Sequence, residues 1–473
     1  MFCVENKTFL RASNIKKGEE KTMAEKIARQ GLTWRHVGVV ATMMLTLLTA
    51  VGIIFIAAGL CYRPVAQHFG VQVSDVSFYI TCVYIGSTIA PIPAGWLFDR
   101  MNPKLLFSIA SIIVFVPYLG LSVYPAIWCF WIAGIIIGLG LATLEYTMTA
   151  GILSRWFHTN YGTVIGISFA MTGLGGIIWN GWGQFILGPD LSGWANLYQI
   201  YGVFIAVGTL VPILLFIRRT PEEVGLLPYG MPLNAEEATE EGKIEAPEEP
   251  GIAFKDALRL PFFWTMLLGA GLLNIVTTIS QLFATYVQFL GHDGWNGAPI
   301  VALLLLSGTL ESFASAGQMV GKVLVGIIES RSLLAAQIMG VCGGVIGVLM
   351  IWQLPKIFGE AGIWPMFCGG AFYGLMYACS TAMLPFLVRE CFGGKDYDRI
   401  YSLQVAIFNI LGGLGATAWA IFMQTFGWDA FFIFCLAEVI LTFIMIAYTG
   451  IAAYKYREKT WYKSDAQLAH AEA

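Results

Sequence analysis

VALLLLSGTLESFASAGQMVGKVLVGII, residues 301–328, is long enough to cross a bilayer, yet it holds two charged side chains, Glu311 and Lys322. About 20 apolar residues in a helix span the hydrocarbon. A cation at that depth costs roughly 2.5–3.5 kcal/mol on insertion scales, so it faces a cavity, an ion pair or a substrate path. Glu311, Gln318 and Lys322 are seven and four residues apart. At 100° per residue they fall within about 40° of one another on one helix face, with Glu311 about 16 Å along the axis from Lys322. Such a face points to a carrier of something anionic.

Composition agrees with a membrane-spanning chain. The 473 residues are 57% hydrophobic and 12% charged, against about 25% charged in a soluble domain. The net charge of −3 comes without a basic tract interleaved with aromatics, so no nucleic-acid partner is expected. The cysteines and histidines are scattered, with no CxxC and no Cys–His pair at ligand spacing. No metal and no cofactor are expected. No GxxxxGK[ST] loop occurs, which excludes ATP as the direct energy source.

Hydropathy predicts an all-α membrane protein of twelve spans in two groups of six. The spans are 37–60, 76–97, 105–123, 126–152, 163–186 and 197–217, then 262–289, 303–327, 333–352, 363–387, 402–424 and 430–452. The resulting domains are a tail (1–35), an N-terminal six-helix half (36–217), a polar linker (218–260), a C-terminal six-helix half (261–452) and a second tail (453–473). The first segment lacks an apolar core with a cleavage site, so it is not a signal peptide, and translation starts at Met1 or Met23. With the N-terminus inside, all but three of the 27 basic residues fall on the inner side; Arg63 and Lys356 lie outside and Lys322 within a span. That bias predicts a multi-pass protein of the inner (plasma) membrane with both termini cytoplasmic. The halves also look like repeats. FHTNYGTVIGISFAMTGLGG (157–176) and FGGKDYDRIYSLQVAIFNILGGLG (392–415) share one offset, which pairs Tyr161 with Tyr401, Gly173 with Gly413, Gly175 with Gly415 and Gln184 with Gln424.

Between spans 2 and 3 lies Gly95-Trp-Leu-Phe-Asp99-Arg100-Met-Asn-Pro-Lys104. It resembles the signature loop of the major facilitator superfamily, with Asn102 where the family usually has Gly. Gly326-Ile-Ile-Glu329-Ser330-Arg331 is a degraded copy in the second half. The resemblance implies a major-facilitator-type 12-helix bundle, and it implies a conformational latch at Asp99, Arg100 and Arg331. Within the superfamily, Gln318-Met-Val-Gly321-Lys322 and Arg63-Pro-Val-Ala-Gln-His-Phe69 are similar to the oxalate/formate antiporter and monocarboxylate transporter branch. So are Arg218-Arg-Thr-Pro-Glu-Glu-Val-Gly and Cys391-Phe-Gly-Gly-Lys395. That branch usually carries Arg at the position of Lys322, and its proton-coupled members carry Asp at the position of Gln318. The oxalate carrier uses a lysine in span 11, where this chain has none.

Candidate substrate-binding residues are therefore Lys322, Arg63, Gln318, Glu311, Tyr146, Trp179, Asn180, Tyr373 and Tyr377. An aromatic-lined cavity with one cation suits a monocarboxylate with an apolar body. Glu311 and Glu145 are the proton-coupling candidates, and Glu438 is a further acid within a span. The expected function is secondary active transport of a small organic anion by alternating access, coupled to a proton or a counter-anion. The alternatives are a carrier of an unrelated small solute, by uptake or efflux, and a transporter-like receptor. Dispersed His and Cys argue against an enzyme.

Overall fold

The structure, a computed structural model, describes residues 29–232, 251–329 and 332–471. Eight helical runs among them are long and apolar enough to cross a membrane. Six supply one span each: α1 (Trp34–Ile56), α3 (Pro103–Gly120), α4 (Ile127–Trp156), α5 (Tyr161–Leu187), α6 (Trp194–Phe216) and α7 (Pro261–His292). The other two runs supply two spans each. Leu333–Phe392 turns at Gly359 into α9 (Leu333–Phe358) and α10 (Ile363–Phe392). Tyr397–Ala471 divides at Gly427 into α11 and α12; there φ is 80°, a left-handed value that glycine adopts freely. α2 (Val73–Ile89, continued by Pro91–Arg100) and α8 (Thr309–Glu329) complete twelve. Their polar residues point inward: Ser77, Thr81 and Ser87 on α2, and Glu311, Ser315 and Gln318 on α8, are all buried. Lipid therefore meets their apolar faces.

Local signals explain several boundaries. Asn102 caps α3 by accepting from Lys104 N at 2.9 Å, with Pro103 in the first helical position. The span expected at 303–327 starts later, because Val301–Leu305 forms a separate 3₁₀ turn. Gly308 is pressed against the Asn180 backbone, and its N–H is taken by Gln184 Oε1 at 2.9 Å. The helix expected at 126–152 is interrupted at Glu145, whose ψ of −169° is extended. α12 continues as helix into the segment expected to be a tail, through Ala471.

Small residues set the helix pairings. A β-carbon on Gly52 would lie 3.2 Å from Gly175 Cα, which seats α1 on α5. One on Gly138 would lie 2.9 Å from Gly86 Cα, seating α4 on α2; one on Gly374 would lie 2.6 Å from Gln318 N, seating α10 on α8. In lipid, close backbone approach of this kind is what drives helix association. The α2–α4 pair of the first half thus recurs as α8–α10 in the second, as a repeat requires. The linker is strapped at both ends to matching loops. Tyr229 N donates to Trp156 O (2.8 Å) and Ile252 N to Phe392 O (2.8 Å). Residues 233–250, and 1–28 of the expected first tail, lie outside the described residues.

Among the described residues, Arg29 and Gln30 bond to Gly230 and Met231, and the linker's described ends bond to Trp156 and Phe392, so these segments mark one face of the bundle, called here the terminal face. The other is the far face.

Candidate functional site

The halves meet along two seams, α5 against α8 and α2 against α11. On α5, a β-carbon at Gly173 would touch Met319 Cβ at 3.0 Å, and one at Gly176 would run into Ser315. Gly166 is seven residues before Gly173, on the same helix face, yet a β-carbon there would meet nothing within 4 Å; the same holds for Gly326, seven residues past Met319. The two helices are in contact toward the far face and diverge toward the terminal face.

Polar ties between the halves follow the same gradient. At the far face Arg63 Nη2 pairs with Asp293 Oδ2 at 2.7 Å. Tyr62 Oη donates to Gln281 Oε1 (2.8 Å) and Gln288 Nε2 to Leu60 O (3.2 Å). Gln184 Oε1 accepts from Gly308 N and from Thr309 Oγ1 (3.0 Å) at the start of α8. In the amide orientation its neighbours dictate, Gln424 accepts from Val73 N (2.7 Å) and donates to Ser74 Oγ (2.9 Å) at the start of α2. Deeper, Thr81 Oγ1 donates to Gly413 O at 2.6 Å.

Lys322 stands where α5 and α8 part. Its Nζ donates to Thr172 Oγ1 on α5 at 3.2 Å. Among the described residues no carboxylate lies within ion-pair distance of it. Seven residues separate it from Glu329, the last of α8, about 10 Å of helix rise. The ammonium is thus held in the seam rather than at a helix end. Thr172 donates back to Phe169 O (2.9 Å), which leaves its lone pairs to the lysine. Tyr146 sits over Phe169 with ring centroids 4.8 Å apart and has its hydroxyl at Thr172.

From Lys322 the polar face of α8 runs toward the far face. Tyr377 reaches Gln318, whose Oε1 is buried without a partner. Glu311 is 3% exposed, faces Ser280, Tyr373 and Tyr377, and leaves Oε2 unpartnered. Across the seam Glu145, at the break in α4, lies beside Ser87, Tyr84 and Tyr146, and its Oε1 is also buried and unpartnered. Tyr84 in turn reaches Asn274 of the other half.

The other expected residues are placed as follows. Trp179 is packed within the first half, donating to Leu48 O at 2.7 Å and accepting at its carbonyl from Tyr201 Oη. Asn180 donates to Gly176 O (3.0 Å). Tyr373 donates to Val276 O (2.6 Å) within the second half. The hydrogen bonds of these three side chains stay within one half, although the Asn180 backbone meets Gly308 across the seam. Arg63 lies apart from the Lys322 cluster, at the far face. Arg100 covers the Trp96 ring at 4.0 Å. The Asp99 side chain and Arg331 lie outside the described residues. Glu438 is buried in α12. Among the described residues no three His, Cys, Asp or Glu side chains converge as metal ligands.

Thr172, Tyr84, Ser87 and Ser280 belong to the cluster but were not singled out from sequence. Thr172 had a usable signal, a hydroxyl among the glycines of a repeated segment facing the partner half.

Residues 38–355, from α1 into α9, match the model of the Major Facilitator Superfamily. A 156-residue stretch is 25% identical to "Riboflavin transporter RibJ" of Trypanosoma brucei brucei, covering 30% of this chain and 27% of that protein. The chain therefore spans about a quarter of that relative's length. The nucleoside transporter NupG, in a point-mutant form, superposes with a TM-score of 0.64 at 10% identity, covering 88% of this chain and 99% of that one. A POT family transporter in complex with 5-aminolevulinic acid gives 0.62 at 16% identity, covering 91% and 99%. A helical bundle of two repeated halves, closed at one face around a polar seam, and a family match over residues 38–355 lead to one assignment: the chain belongs to the major facilitator superfamily, as a multi-pass membrane protein.

Proposed function

We propose that this carrier moves organic anions, monocarboxylates first among them, by alternating access. The observation that supports the reading is the Lys322 ammonium in the seam, with a hydroxyl for a partner and no counter-charge among the described residues. A partly buried cation without a counter-ion is costly at membrane depth, and an entering carboxylate supplies what is missing. The cluster around it is aromatic and neutral (Tyr146, Tyr377, Gln318), which suits a single carboxylate on an apolar body. Glu311 and Glu145, each with an unpartnered oxygen, are the groups through which a proton would accompany the anion; exchange against a counter-anion needs neither. The basic-residue bias supports a plasma-membrane protein with the terminal face toward the cytoplasm. The test is uptake of labelled lactate, benzoate, formate and oxalate into proteoliposomes, with and without a pH gradient and with and without internal anion. Lys322→Ala retaining full transport of every accepted anion overturns the reading.

A second reading has one observation in its favour. The riboflavin transporter relative suggests a larger uncharged heteroaromatic solute, stacked against the seam tyrosines. Uptake of riboflavin that is unaffected by Lys322→Ala, with no uptake of any acid, would select it.

A further inference from the structure

A cleft of about 220 Å³ lies between the halves on the second seam, α2 against α11. Thr81, Tyr84 and Thr88 of α2 face Asn409 and Gly413 of α11 across it, and among the described residues no charged side chain lines it. Its rim is Ile85, Ile89, Ile410 and Leu414, from 43% to 61% exposed. On α2, Ile85 and Ile89 stand on the side away from Ser87 and Tyr84, the residues beside Glu145. The rim therefore looks out of the bundle into hydrocarbon. Toward the far face the cleft is shut. Thr81 Oγ1 donates to Gly413 O (2.6 Å) and accepts from Thr417 Oγ1 (2.9 Å), and a β-carbon on Gly413 would lie 2.7 Å from Tyr84 Cβ. Toward the terminal face it widens. Gly95 is seven residues past Thr88, on the same face of α2, and a β-carbon there would meet nothing within 4 Å.

We propose that this cleft is a lipid site, in which one acyl chain of a bilayer lipid lies between the halves and holds the terminal face open. The occupant follows from the rim. Hydrocarbon is what the bilayer presents at that depth, and an uncharged cleft edged by branched aliphatic side chains gains dispersion contacts from an alkyl chain that a void forfeits. The two walls belong to different halves. Closing the terminal face draws α2 and α11 together along this seam, as it draws α5 and α8 together along the other, and the chain is expelled. An occupant that binds only one of two states shifts the balance toward that state. The site is thus regulatory: the shape of the surrounding acyl chains sets the resting state of the carrier, whichever solute it moves.

The experiment compares nanodiscs of dioleoyl phosphatidylcholine with nanodiscs of diphytanoyl phosphatidylcholine, whose methyl-branched chains are too thick for the cleft. Terminal-face opening is read by maleimide labelling of Gly166→Cys, an exposed position where α5 and α8 stand apart. Far-face opening is read by Ala66→Cys, which is buried, and the unsubstituted chain is the background. In the straight-chain lipid, Gly166→Cys is expected to label at least about twofold faster and Ala66→Cys correspondingly slower. Ile410→Trp carries its own wedge into the cleft, so with it Gly166→Cys is expected to label fast in both lipids; Leu414→Phe repeats the test from the same helix. Equal rates in the two lipids overturn the proposal. So does a lipid response in Ile410→Trp and Leu414→Phe equal to that of the parent, since the bulk bilayer would then be responsible. A phosphatidylcholine with a diazirine in its acyl tail is expected to mark Thr88, Asn409 or Gly413 in the parent and not in Ile410→Trp, with marking of exposed Val207 on α6 unchanged. Unmarked cleft residues overturn the occupancy, and a dimer in the nanodisc that shields them replaces the lipid by a second copy of the chain.

Discussion

Replacing Lys322 by Gln keeps a hydrogen-bond donor, on a side chain one atom shorter, and removes the charge. Two unit charges about 4 Å apart at an effective dielectric of 20 attract by about 4 kcal/mol. Part of this offsets the desolvation of the carboxylate, and hydrogen bonds to charged groups retain a net 1.5–3 kcal/mol or so, about half of that attraction. At about 1.4 kcal/mol per decade, kcat/KM for an accepted anion is expected to fall about 10- to 150-fold. Thr172 Oγ1, the partner at 3.2 Å, can still accept from the glutamine amide, so the seam should remain packed and the thermal midpoint nearly unchanged. Lys322→Arg keeps the charge and is expected to retain most transport. The assay is initial-rate uptake across a concentration series in proteoliposomes, with reconstituted protein quantified in each sample. Equal kcat/KM for Lys322→Gln and the parent on every acid refutes the reasoning. A loss that Lys322→Arg shares in full would also refute it, since shape and not charge would then be responsible.

Thr172→Val leaves the ammonium without its acceptor and is expected to lower kcat/KM about three- to tenfold, read in the same uptake series; no change would mean the bond is incidental. Glu311→Gln keeps the shape of a protonated carboxyl. It is expected to abolish acceleration by an inward proton gradient while leaving exchange against internal anion, and unchanged gradient dependence would assign the proton elsewhere. Gly176→Leu drives a side chain into Ser315 and is expected to stop transport and open the far face to maleimide. Gly166→Leu, on the helix face of Gly173 but where nothing is within 4 Å, is expected to transport normally, and equal effects from both would refute the divergence of α5 and α8. Gln184→Leu strips the acceptor from Gly308 N and Thr309 Oγ1; a buried donor left unpaired costs about 1–3 kcal/mol, so far-face labelling should rise at least about fivefold.

The all-helical bundle was legible in the sequence because hydrocarbon leaves a spanning segment few options. The spans α2 and α8, shorter or more polar than the eight apolar runs, were still found by hydropathy, because their few polar residues are scattered through an otherwise apolar stretch. What the sequence did not show was which polar residues meet across the seam. Lys322 announced itself by its cost in lipid, but its partner Thr172 is an ordinary hydroxyl with no cost to flag it. Trp179, Asn180 and Tyr373 are as polar or aromatic as the seam residues and on neighbouring helices. Their rotation about the helix axis directs them to backbone carbonyls within one half, and hydropathy carries no such angle. The break at Glu145 was hidden because its neighbours, Leu144 and Tyr146, suit a helix. Arg63 was placed at the mouth, yet its pairing with Asp293 depends on how two halves dock, which no local pattern encodes.

The repeat explains how the far face can close without becoming permanent. Gln184 and Gln424 stand at matching positions near the ends of α5 and α11. Each caps the start of a helix in the other half, α8 and α2, where free N–H groups and the helix dipole favour an acceptor. With Tyr62–Gln281, Gln288–Leu60 and Thr81–Gly413, these are neutral hydrogen bonds, each contributing about 0.5–1.5 kcal/mol net. The single ion pair among these ties, Arg63–Asp293, is half exposed and worth about 0.2–1 kcal/mol. Opening the far face lets water replace such bonds one for one, so the net difference between the two states is a few kcal/mol. That is the size of the interaction a carboxylate gains at Lys322, and a ligand shifts a conformational balance only by its differential affinity for the two states. A far face sealed by buried ion pairs or a large apolar interface would need more than one small anion to reopen it. Neutral, replaceable ties placed symmetrically at the two seams keep the balance within the reach of the solute itself.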